Sequence, residues 1–111
     1  MKYALLIYGS PEIRDVPEDE LKSVVGEYEA LFDEPGVLAG QQLQGAESAT
    51  TVRVQDGEAL LSDGPFVDAK EYLGGFYLLE ADDLDSATAL AARVPAARMG
   101  GAVEVRPIVE R

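Results

Sequence analysis

The side chains best suited to chemistry in this chain gather between positions 63 and 72, where Asp63, Asp68, Lys70 and Glu71 stand among Phe66 and Tyr72. A carboxylate at a strand end can act as a general base or a hydrogen-bond anchor once burial raises its affinity for a proton. A lysine among three carboxylates can orient an anionic or carbonyl substrate, or simply neutralise the acids. The same residues also have plain structural roles. Asp63-Gly64-Pro65 is turn chemistry, in which Asp caps a local amide and Pro presets its own φ, and a charge cluster is commonly just a solvated surface. Asp63 is therefore the catalytic candidate, and Tyr8, Phe66, Lys70, Glu71 and Tyr72 are the substrate-binding candidates. Their aromatic rings suit either a pocket wall or packing in a core or dimer.

Other chemistries are closed off by composition. The 111 residues include no cysteine and no histidine, which removes disulfides, thiolate nucleophiles, imidazole acid-base catalysis and the usual zinc sites. Asp82, Asp83 and Asp85 lack the spacing of a calcium loop and suit helix capping instead. Gly74-Gly75 lacks the pattern and the strand-to-helix setting of a phosphate loop. No metal and no cofactor is expected. With 21 acids against 9 bases, the net charge of -12 repels phosphate backbones and anionic membranes, so neither nucleic acid nor membrane is an expected partner. The apolar run Tyr3 to Tyr8 is too short for a signal peptide, and nothing approaches the roughly 18 apolar residues of a membrane span, so a soluble, cytoplasmic protein is expected.

The elements that must position these groups follow from periodicity. Lys2 to Tyr8 is a continuous apolar run and predicts a central strand covered on both faces. Pro17 followed by Glu18, Asp19 and Glu20 opens a helix; Leu21, Val24, Val25, Tyr28, Leu31 and Phe32 give it one apolar face, and Pro35-Gly36 ends it. Val37 to Leu43 reads as a strand or an irregular edge. Thr50 to Gln55 and Glu58 to Ser62 flank Asp56-Gly57, the dipeptide of a two-residue hairpin turn. Tyr72 to Glu80 is a further strand whose Gly74-Gly75 predicts a bulge or a close backbone approach. A second amphipathic helix runs from Leu84 to Val94, and Ala102 to Val109 is the last strand. Arg93, Arg98 and Arg106 make this end relatively basic, either to pair with acids of a partner subunit or to bind an anion.

The order is α+β with a ferredoxin-like β-α-β-β-α-β arrangement in a single domain over residues 1–111. Two helices cover one sheet face only, yet the strands carry apolar groups on both. A second copy packed sheet to sheet, forming a homodimer, is the simplest cover.

The stretch DGPFVDAKEYLGGFYLLE, Asp63 to Glu80, resembles the DGPF proteins of the YciI-like (YCII-related) family. MKYALLIYG, ATTVRV, PAAR and VEVRP extend the likeness over nearly the whole chain. The resemblance implies a ferredoxin-like fold dimerised into an α/β barrel, with a cleft around the DGPF segment. It implies little about reaction: the wider group has been suggested to use a His-Asp pair, and one relative is a dehydrochlorinase acting on an aromatic ring. This chain has no histidine, so half of any such pair is missing. The expected function is a small-molecule pocket near the DGPF motif, in a cofactor-free enzyme or a binding protein. The alternative is a non-catalytic regulatory or protein-binding module, which the family resemblance would link to an alternative sigma factor.

Overall fold

The computed structural model describes residues 1–9, 16–66 and 71–111. β1 (Lys2–Gly9) is the apolar run at the start of the chain, and it lies inside a four-stranded antiparallel sheet. Its neighbours are β5 (Tyr72–Glu80) and β6 (Ala102–Pro107), and β2 (Val37–Gln42) extends the sheet beyond β5, giving the order β2-β5-β1-β6. Two helices, α1 (Glu18–Leu31) and α2 (Leu84–Ala91), complete a ferredoxin-like unit. α1 begins directly after Pro17 with three acids in its first turn, where they meet the positive end of the helix dipole. At α2 the Asp83 carboxylate accepts a 2.8 Å hydrogen bond from the Ser86 amide and satisfies one of the otherwise unpaired first-turn donors.

The core forms where alternate residues of β1 and β5 meet the helices. Tyr3, Leu5, Ile7, Tyr77 and Leu79 pack with Leu31, Ala87, Ala91 and Val94, each large apolar side chain contributing about 1.5 to 3 kcal/mol by leaving water. The intervening residues Ala4, Leu6, Phe76 and Leu78 point to the opposite face and stay half-buried. Lateral pairing places them in two rows across the strands: Gln41, Phe76, Leu6 and Glu104 in one, Ala39, Leu78, Ala4 and Arg106 in the other.

β3 (Thr50–Gln55) and β4 (Glu58–Asp63) form the expected hairpin, with Asp56 at φ 52° and Gly57 at φ 80° in the turn, the pair of positive angles that a type I′ turn requires. They make a separate two-stranded sheet, inserted between β2 and β5 and outside the main one. The second strand of the ferredoxin-like unit is thus Val37–Gln42, an edge strand, and β6 ends at Pro107, short of Val109. Arg93, Arg98 and Arg106 pair within the chain: Arg93 with Glu34 at 2.7 Å, Arg98 with Glu27, and Arg106 with Glu104. No helix among the described residues is long and apolar enough to cross a membrane.

Candidate functional site

The gap between α1 and the sheet is the candidate site. Val24 and Leu31, seven residues apart on one edge of the helix, are buried. Leu21, Val25 and Phe32 lie along the neighbouring edge and remain 46 to 49% exposed. The buried edge is held from the side: Arg98, next to the short helical turn Pro95–Ala97, pairs with Glu27, and Arg93 pairs with Glu34 just beyond the helix. Under the exposed edge the sheet offers Gly74 and Gly75 in place of side chains. A cavity of about 450 Å³ results, within the range typical of small-molecule sites.

Glycine forms the cavity floor for a steric reason. The pairing of β1 with β5 slips between Ile7 and Tyr8, opposite Gly75 and Leu73, so that Gly74 is the extra residue. Gly75 lies so close to β2 that a Cβ there would stand 2.8 Å from the Gln41 carbonyl oxygen. The bulge or close approach expected of this glycine pair is therefore present in both forms.

The walls combine apolar and polar groups. Ile7, Leu21, Val24, Val25, Phe32 and Leu43 supply hydrocarbon, while Tyr28, Glu29, Gln41, Gln42, Gln44 and Tyr72 supply hydrogen-bonding groups. Phe32 and Tyr77 meet with ring centroids 5.3 Å apart at 60°, a tilted arrangement favoured by the ring quadrupoles. Burial pushes the Tyr28 hydroxyl above its ordinary pKa, against a backbone hydrogen bond with Ala96 that pulls it down. Burial, with the neighbouring Tyr28, pushes Tyr77 up to about 12. Both phenols are proton donors at neutral pH.

Of the residues singled out from the sequence, Tyr72 lines this cavity. Glu71 precedes it and is exposed. Tyr8 alternates with the lining residues Ile7 and Gly9 and so stands on the other sheet face. Asp63 closes β4, paired with Thr50, and is exposed. The turn after it is held by the Gly64 amide donating to the Ala49 carbonyl at 2.7 Å and by the Thr51 hydroxyl donating to the Gly64 carbonyl at 2.8 Å. Phe66 lies beneath the Arg53 guanidinium, 4.7 Å from ring centre to cation, a cation–π contact. Lys70 and Asp68 fall outside the described residues. The structure thus brings together Tyr72 and the exposed edge of α1, and it separates both from Asp63 and Phe66. The α1 edge was visible in the sequence only as part of an apolar face, with no mark that half of it stands over a gap. Among the described residues no cluster of three or more acids is placed to hold a metal ion.

Fold and sequence together define the class. The chain matches the YCII-related domain over residues 1–111 and belongs to that family. It is similar to an uncharacterized protein of Rhizobium meliloti, 33% identical over 114 residues that cover 97% of this chain and 92% of the relative. Among solved structures it is similar in fold to 5-chloro-2-hydroxyhydroquinone dehydrochlorinase from Burkholderia phenoliruptrix in complex with 2,5-dihydroxybenzoquinone. The TM-score is 0.58 at 18% identity, covering 100% of this chain and 96% of the other.

Proposed function

We propose that this protein binds a small, largely apolar molecule in the cavity between α1 and the β2-β5 edge, and does so without a cofactor. The observation that carries this reading is the cavity itself: about 450 Å³, with an apolar wall on the helix side and amide and phenol groups at the sheet end. A mostly apolar enclosure with a few convergent polar groups is how such sites gain both affinity and orientation. The dehydrochlorinase of similar fold, solved with a quinone, supports a planar ring as the shape to try first. The Tyr72 hydroxyl and the Gln42 and Gln44 amides are the groups proposed to fix it. The chain is further read as a homodimer, with Ala4, Leu6, Phe76 and Leu78 of the bare sheet face set against their counterparts, because a half-buried apolar sheet face is stable when covered.

A thermal-shift screen of hydroxylated and quinonoid ring compounds tests the pocket, with Val25→Trp as the control. The bulky indole enters from a half-exposed helix position and fills the space without disturbing the buried Val24 and Leu31. A compound that raises the melting temperature of the wild type and leaves the Val25→Trp variant unmoved supports the site. A compound that shifts both proteins equally binds elsewhere and refutes it.

A further inference from the structure

The β3-β4 hairpin carries an apolar face that the other described residues leave exposed. Pairing of Val52 with Leu61 and of Val54 with Ala59 puts these four side chains on one side of the ribbon, with Val54 and Leu61 about 70% exposed. The other side holds Arg53 and Leu60, and Arg53 is occupied over Phe66. A two-stranded ribbon without a covered face is marginal in water. The ribbon is a sheet of its own in which every residue but Thr51 is exposed, and the molecule as a whole is extended, with a radius of gyration of 15.8 Å against about 13 Å for a compact chain of this length.

We infer that the Val52-Val54-Ala59-Leu61 face of the hairpin docks on a second copy of this chain, as an arm that extends the proposed sheet-to-sheet contact. This rests on the homodimer reading above, and the areas involved favour it. At strand spacings of about 4.8 Å and about 3.3 Å per residue, the bare face of the four-stranded sheet measures roughly 400 Å² in projection, well short of the about 800 Å² each partner gives to a stable interface. The hairpin face adds roughly 200 Å² in projection, half as much again, and brings the total measured in the same way to roughly 600 Å². Charge selects the same surfaces. Two chains of net charge -12 repel, and they can meet only where carboxylates are few. The four hairpin residues are uncharged, with Asp63 at the strand end the one acid on their side of the ribbon, and on the sheet face Glu104 is already paired with Arg106. A twofold pair lets each copy both give an arm and receive one, which closes the assembly.

Sedimentation equilibrium of the wild type and of the double variant Val54→Asp, Leu61→Asp tests the arm. Both substitutions are at surface positions, and circular dichroism checks that the core is retained. The expected result is a dimeric wild type and a dissociation constant raised about 100-fold or more in the variant. Because the chain has no cysteine, Val54→Cys and Gln55→Cys can each carry a polarity-sensitive dye without altering the core. The dye at 54 should shift to the blue as concentration rises through the dimerisation range, while the dye at 55, on the other side of the ribbon, should not. A dimeric wild type whose dissociation constant changes by less than about threefold in the double variant, with no shift at 54, overturns the arm and leaves the sheet contact standing. A wild type still monomeric at about 100 µM overturns both and leaves the hairpin face to a partner of different sequence.

Discussion

The Tyr77 hydroxyl in β5 donates a 2.7 Å hydrogen bond to the backbone carbonyl of Tyr28 in α1. The Phe32 amide, at the end of the same helix, bonds instead to the Glu29 carbonyl. The sheet thus holds α1 by a polar contact beside the cavity as well as by packing. Tyr77→Phe keeps the ring against Phe32 and removes the hydroxyl alone. It should cost about 1 to 2 kcal/mol, read as a lower midpoint in urea with an unchanged slope. An unchanged midpoint would mean the bond contributes nothing to holding the helix.

The same phenol makes the fold sensitive to alkali. Its pKa is pushed up from 10.0 to about 12 by burial and by Tyr28, so the unfolded chain loses this proton first. The stabilisation is whole below pH 10 and disappears as pH rises through about 12. Stability should fall across that window, and Tyr77→Phe should flatten the fall. Ultraviolet titration should show at least one tyrosine ionising late in the wild type and absent from the variant.

At the other end of the pH scale, the Asp83 carboxylate is held below its ordinary 3.8 by the Ser86 backbone amide first and the Ser86 side chain second. A depressed carboxylate stabilises the fold above its unfolded pKa and stops doing so as pH falls through the lower folded value. Asp83→Ala should lower the melting temperature at neutral pH by a few degrees. Asp83→Asn should recover most of that loss, since an amide oxygen can still accept from Ser86. The gap between wild type and Asp83→Ala should narrow in strong acid by the share the charge contributes, down to about the gap between Asp83→Asn and Asp83→Ala, and a gap that does not narrow would show that the cap does not act through its charge.

Asp63 offers a cleaner separation of fold from function. The turn after it is closed by Gly64, Ala49 and Thr51, so both Asp63→Asn and Asp63→Ala should stay within about 0.5 kcal/mol of wild type. Because Asp63 is not among the residues lining the cavity, the asparagine variant should bind a cavity ligand with unchanged affinity, as calorimetry would measure. Loss of affinity in that variant with an unchanged melt would make Asp63 a working carboxylate.

Much of this architecture is legible from local chemistry. Pro17 with its three acids starts α1 where it was expected, Asp56-Gly57 forms the turn it encodes, and Tyr72 to Glu80 is β5 end to end. These signals act within a few residues, and the structure has no reason to override them. Val37–Gln42 is harder, because VLAGQQ has no alternation; as an edge strand it is bonded on one side only, and exposure is spread along its length. That the hairpin stands apart from the main sheet is not written in its residues either, since Val52, Val54 and Leu61 would suit a covered strand equally well. The cavity depends on which edge of α1 is tied down. The buried edge packs through Val24 and Leu31 and is flanked by ion pairs to Arg93 and Arg98, some sixty to seventy residues away in sequence, and no spacing rule along the chain carries such a relation.

The glycine floor limits how this chamber can be redesigned. A surface made of main chain presents the same amides and carbonyls whatever the neighbouring codons say, and at Gly75 the approach of Gln41 bars even a methyl group. Variation in what the chamber admits is therefore written on its roof, at Leu21, Val25 and Phe32, which are exposed enough to change without emptying the core, and on the Gln42, Gln44 and Tyr72 side chains at the sheet end. The protein is in this respect a fixed mould with an interchangeable lining, and a library over those six codons would vary both the shape and the polar groups it offers.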